Sequence, residues 1–134
     1  MKPDATFEAV LQSSDALTVV LNPPGNSYEL HLSVDTPLKD VLVGDRIIGT
    51  ARARALRVHP ATGGGAFIEP IAGAPRIVAG RVISNDEHGM ILVRSAIPLL
   101  VELEDETDRA TCIPGAFINF HVQSGTTFQP SPES

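Results

Sequence analysis

Three arginines, Arg46, Arg52 and Arg54, stand at even positions of an extended stretch that runs from Arg46 to about His59. Alternate residues of a strand project from one face, at roughly 6–7 Å per two residues, so the three side chains form a stripe of guanidinium groups. Such a stripe can grip phosphates or a carboxylate-rich partner through paired N–H donors. The plainer expectation is a solvated sheet face whose charges are met by acids on neighbouring strands. The opposite sign is concentrated further on, where Glu102, Glu104, Asp105, Glu106 and Asp108 lie close together. Carboxylates suit hard divalent cations, although a solvated acidic loop accounts for the same run. The basic stripe and the acidic run are complementary, either within one chain or between copies.

Fewer residues elsewhere suggest chemistry. Gly44-Asp45 reads as a turn whose backbone amides could hold a small oxyanion, with the Asp45 carboxylate bonding nearby amides. His31, His59, His88 and His121 fall in different elements, and none shares a ligand spacing with another or with Cys112. Cys112 occupies an apolar position and reads as a small buried hydrophobe. Gly63-Gly64-Gly65 has neither the following helix nor the Lys-Ser/Thr of a phosphate loop, and reads as a flexible turn. No nucleophile stands at a recognisable spacing from a base. The expectation is a non-enzymatic protein with no cofactor and no metal.

The balance of 10 basic and 16 acidic residues gives a net charge of −6. That disfavours nucleic acid as a partner, because such binding rests on phosphate neutralisation by Lys and Arg. Nucleic acid also favours exposed aromatics for base stacking, and here aromatics are 4% of the chain and sit mostly in apolar patterns. A single cysteine cannot form an intramolecular disulfide and fits a reducing compartment. The opening residues lack the pattern of a signal peptide and no apolar run approaches about 18 residues. The expectation is therefore a cytoplasmic protein without a membrane partner.

The elements that must position these side chains read as a sequence written twice. Residues 28–59 lie without a gap on residues 99–130, so that Leu32 meets Leu103, Thr36 meets Thr107, Gly44 meets Gly115 and Ile47 meets Ile118. The apolar phase follows: Leu30 meets Val101, Val41-Leu42 meets Cys112-Ile113, and Ala51 meets Val122. Eleven Gly and 11 Pro suit short strands joined by turns. Strands are expected at 7–12, 17–21, 28–34, 46–59 and 67–71, then at 77–84, 90–94, 99–104, 117–123 and 126–128. Tyr28, Leu30, Leu32 and Val34 alternate with polar residues and give the clearest strand. Polar turns are expected at 13–15 and 85–89, a flexible tip at 61–65, and helical turns at 37–42 and 105–111. The arginine phase slips between Arg54 and Arg57, which suits a bulge.

Strand, strand, strand, short helix, strand, strand is the order of a five-stranded OB-type barrel. The run Leu42-Val43-Gly44-Asp45-Arg46-Ile47-Ile48-Gly49-Thr50-Ala51 resembles the glycine-aspartate and extended-strand signature of TOBE and Mop small-barrel domains. It is also similar to the Gly-Asp turn of cradle-loop barrels. The first resemblance implies tandem barrels that bind oxyanions such as molybdate; the second implies two repeats interlocked in one barrel. The second half departs from the motif, with Gly115-Ala116 in place of Gly-Asp. Residues 65–71 through 80–82 resemble a group of small bacterial proteins, which implies no activity.

The expected fold is all-β: two tandem OB-like five-stranded barrels packed together, each with a short helical turn, or one interlocked barrel with a pseudo-twofold axis. Residues 1–72 and 76–128 would form the repeats, 72–75 the linker and 129–134 a mobile tail. The expected function is a binding or assembly module acting through sheet faces and loops. Its partner would be another protein or a second copy, with a small anion as the alternative ligand and single-stranded nucleic acid as a further one. The residues expected to carry it are Arg46, Arg52, Arg54, Gly44, Asp45, Glu102, Glu104 and Glu106.

Overall fold

Period-two alternation governs most of the chain, and the computed structural model, which describes residues 5–62, 65–85 and 90–131, is accordingly mostly strand. The elements are β1 (Thr6–Asp15), β2 (Thr18–Asn22), β3 (Glu29–Ser33), β4 (Arg46–Pro60), β5 (Phe67–Glu69), β6 (Ala72–Gly73), β7 (Ile77–Asn85), β8 (Met90–Arg94), β9 (Pro98–Leu103), a 3-10 helix (Glu106–Thr111), β10 (Phe117–Val122) and β11 (Thr127–Pro130). They form one mixed sheet.

The pairing follows two circuits. In the first, β1 pairs with β2, β2 with β3, β3 in parallel with β11, β11 with β4, and β4 with β1 again. The second runs from β4 to β10, β7, β8 and β9, and returns in parallel to β4. The long β4 is common to both. Its first residues pair with β1, while Ala51–Ala55 pair with β9 and later residues with β10. A strand with partners on both edges leaves few unpaired backbone groups.

The same backbone bonds recur 71 positions apart. Gly44 N–H donates to Leu11 O at 2.7 Å, and Gly115 N–H to Val82 O at 2.8 Å. Asp45 N–H donates to Leu42 O, and Ala116 N–H to Ile113 O. Ser33 N–H donates to Thr126 O, and Glu104 N–H to Ala55 O. Val10 pairs with Arg46 as Arg81 pairs with Phe117, and both first strands carry a bulge, between Leu11 and Ser13 and between Val82 and Ser84. Gly44 and Gly115 hold φ of 98° and 92°, a left-handed conformation that costs glycine little.

The inward faces meet in one apolar cluster spanning both halves, built from aliphatic residues with Phe7, Phe120 and Phe128. The matched pairs Leu32 and Leu103, Ile47 and Ile118, and Ala51 and Val122 are all buried. Phe128 lies edge-on to Phe7, with ring centroids 5.6 Å apart. The bulge expected between Arg54 and Arg57 is present: Phe120 pairs with Val58 but Val122 with Ala55, so the exposed Leu56 and Arg57 together oppose the single His121.

Several expectations are corrected. No helical turn forms at 37–42, because Pro37 lacks a donor and Asp40 takes φ of 61°. Ser13–Asp15 extend β1 instead of turning; the reversal comes at Ala16, with φ of 51°. The strand expected at 67–71 ends at Glu69 and pairs with β7 of the other half. It does not close the first circuit, since β4 runs past its own half and β11 takes that place. Ala72 and Gly73, read as linker, pair with β3. Gln129 and Pro130, read as tail, belong to β11. Gly63, Gly64, residues 86–89 with His88, and residues 132–134 lie outside the described residues.

Leu32→Ala and Leu103→Ala should each lower unfolding free energy by about 2–5 kcal/mol in denaturant titrations. Gly49→Ala should also destabilise. A methyl there would overlap Gln129 O and the Phe128 ring, and its effect should reach β11 first in amide hydrogen exchange.

Candidate functional site

The expected site residues fall into three groups, the first and third meeting where Arg46 follows Asp45 at the start of β4. In the first, the parallel register of β4 and β9 sets Arg54 opposite Glu102. Arg54 pairs with Glu102 at 3.2 Å, and its Nε donates to Glu104. Its guanidinium pKa is raised by the Glu104 hydrogen bond, then by the charges of both acids, so Arg54 stays a cation. The group is solvent-exposed and adds little to stability, since water screens such pairs. Arg46 meets Glu8 at 3.3 Å at the start of β4. Arg52 is exposed, opposite Leu100 on one edge and Thr127 on the other. The stripe is therefore one face of a strand, with two of its three arginines met by acids of the same chain.

In the second group the acids act as structural ties. Asp105 caps the 3-10 helix, accepting from Thr107 N–H at 3.0 Å and Thr107 Oγ1 at 2.7 Å. Those bonds, the hydroxyl's first, hold the Asp105 pKa below the ordinary carboxylate range. Glu106 takes two hydrogen bonds from Arg109, at 3.0 and 3.1 Å, which lower its pKa too. Arg109 also donates to Asn85 Oδ1, and Asn85 Nδ2 donates to Cys112 O at 3.0 Å. Asp108 accepts from Val58 N–H at 3.1 Å, beside the β4 bulge. Glu106 is thus separated from Glu102 and Glu104. Among the described residues no three His, Cys, Asp or Glu side chains are grouped to hold a metal ion. Cys112 is buried, and that burial raises its thiol pKa.

The third group is the Gly44-Asp45 turn. Asp45 Oδ2 accepts from Leu42 N–H at 2.9 Å, while the amides of Gly44 and Asp45 donate to Leu11 O and Leu42 O. These amides already have internal acceptors. Beside the turn lies a groove of about 870 Å³, walled by the 36–41 segment, the start of β4, Glu8, Pro130 and Ser131. Leu42, Val43 and Ile48 are strongly exposed close to it.

The two halves differ here. Seventy-one positions from its walls, after or before, lie the 3-10 helix, the start of β10 and the end of β4, where Asp108 ties the helix to Val58. The position matching Asp108 is Pro37, which offers no carboxylate, and its segment leaves space instead of packing down. Leu38, Ile48 and Pro130 were missed as site residues. The substitution of Pro37 for Asp108 between matched segments was the available signal.

Family models, curated proteins and solved structures contain no match to the chain. No helix among the described residues is long and apolar enough to cross a membrane.

Asp105 and Glu106 have folded-state pKa values below their unfolded ones, so their contribution is present above the ordinary carboxylate range and lost as pH falls through the folded values. Denaturant midpoints should therefore drop on acidification, and Asp105→Ala should flatten that dependence while lowering the midpoint at neutral pH.

Proposed function

We propose that the protein is a non-enzymatic binding or assembly module made of two OB-like barrels that exchange their closing strands. The order β1, β2, β3, β4 with a fifth strand parallel to the third is that of an OB-type barrel. Here the fifth strand of each unit comes from the other half: β11 beside β3, and the middle of β4 beside β9. The recurrence of register and hydrogen bonds supports an internal duplication as its origin. This reading merges the tandem and interlocked alternatives, and makes residues 1–72 and 76–128 two sequence repeats of one cooperative unit.

The observation that carries the functional reading is the groove beside the Gly44 turn, walled by the 36–41 segment where the other half has the 3-10 helix. Apolar Leu42 and Val43, between the lining residues Val41 and Asp45 in sequence, expose 73% and 65% of their surface. Exposed neighbouring apolar groups favour contact with another protein surface. Two arginines of the stripe have acidic partners within the chain, which weakens both the nucleic-acid reading and assembly through that stripe.

The test is the native mass of protein purified from its own cells, as wild type and as Leu42→Glu, Val43→Glu. The module reading expects the wild type to carry a second polypeptide, another copy included, and the double variant to lose it while keeping its circular dichroism. A wild type with the bare 14.2 kDa mass would set the module reading aside in favour of a small ligand.

A further inference from the structure

Two arginines outside the sites above face each other without a counter-charge. Arg81 on β7 and Arg94 on β8 are directly opposed in the antiparallel ladder, and both are exposed. Directly opposed residues share a face, with Cβ atoms about 5 Å apart, and like charges so placed repel. The row continues to Phe117 on β10, opposite Arg81, and to Pro98 on β9, opposite Arg94. Neither neighbour is an acid. No described residue forms an ion pair with Arg81 or Arg94, although the chain has six more acids than bases.

Both arginines are held in place. Arg81 Nη1 donates to Gly115 O at 2.7 Å, and its guanidinium carbon lies 5.4 Å from the centre of the Phe117 ring. This anchors the group at one of its N–H donors. Arg94 is positioned through its backbone. Gly80 has no side chain where the Arg94 carbonyl approaches: a Cβ there would lie 2.6 Å from that oxygen. The next residue, Ser95, directs its hydroxyl to Ala79 O at 2.7 Å and Phe67 O at 3.0 Å. The positions matching Arg81, Arg94 and Phe117 in the first half are Val10, Asn22 and Arg46, so the arrangement belongs to the second half alone.

We infer that Arg81 and Arg94 together bind a single phosphoryl group, whose oxygens bridge the two guanidinium groups. Two rigid donor forks match the geometry of a phosphate better than a point cation does, and an anion between them removes the like-charge repulsion. The overall negative charge favours a compact ligand, a phosphate monoester, over a polyanion, whose remaining phosphates would lie over an acidic protein. Phe117 positions Arg81 and does not contact the ligand.

The test follows arginine Nε–Hε resonances by NMR during titration with inorganic phosphate at constant ionic strength, with chloride as the compensating salt. Arg81 and Arg94 should shift together and saturate, whereas exposed Arg52 should not. Arg94→Gln, an exposed substitution that should leave the fold intact, should weaken phosphate binding by about tenfold or more, and Arg94→Lys should fall between. A parallel titration with a single-stranded oligonucleotide separates the sources: equal or tighter binding per phosphate would overturn the compact-ligand assignment. Linear, unsaturated shifts across all exposed arginines, or an unchanged Arg94→Gln, would overturn the site.

Discussion

The antiparallel pairing of β4 with β11 over one stretch and with β10 over the next holds the two halves as one sheet. It depends on close approach. Gly49 presents no side chain, so the Phe128 ring can lie against its backbone and meet Phe7 edge-on. Burying a phenylalanine is worth about 1.5–3 kcal/mol, enough to favour β11 in that position over a short strand exposed to solvent. The parallel neighbours then follow, because β11 set against β4 lies beside Ser33, and the continuing β4 lies beside Leu99–Leu103.

Charge has a modest part in the architecture and a larger one in its details. Asp45, Asp105 and Asp108 each accept from a backbone N–H that a strand or helix would otherwise leave unmatched. An unsatisfied donor costs more than a surface ion pair contributes. The acidic run thus makes a 3-10 helix lie down in one half, and the absence of its key carboxylate leaves a groove in the other.

Much of this was legible in the residues. Alternation at Tyr28–Val34 and along β4 identified strands and their buried faces, and the slip between Arg54 and Arg57 located the bulge, because a two-residue period is a direct consequence of strand geometry. The match of Gly44 to Gly115 anticipated the repeated turn bonds. Partner choice was not legible. Nothing local to Thr127–Pro130 says that it pairs with β3 and β4, since pairing between distant strands is decided by which edges remain open once the core has formed. The same ignorance hid the site geometry: Arg54 beside Glu102 depends on the β4–β9 register, and Arg81 beside Arg94 on the register of β7 with β8. At 37–42 a proline was read as a helix start, whereas the Asp40 backbone turned away.

The late arrival of β11 also bears on how the protein comes into being on the ribosome. On the edge that β2 leaves open, Ser33 is paired with Thr127, and at about 5–20 residues per second the intervening chain takes roughly 5–20 s to make. During that interval β3 has an open edge, and the surface later covered by Phe128 faces water or whatever guards nascent chains. The second circuit has no such wait, because the stretch of β4 that pairs with β9 is made before β7, β8, β9 and β10 emerge. The half that is translated last is therefore the one that can close first.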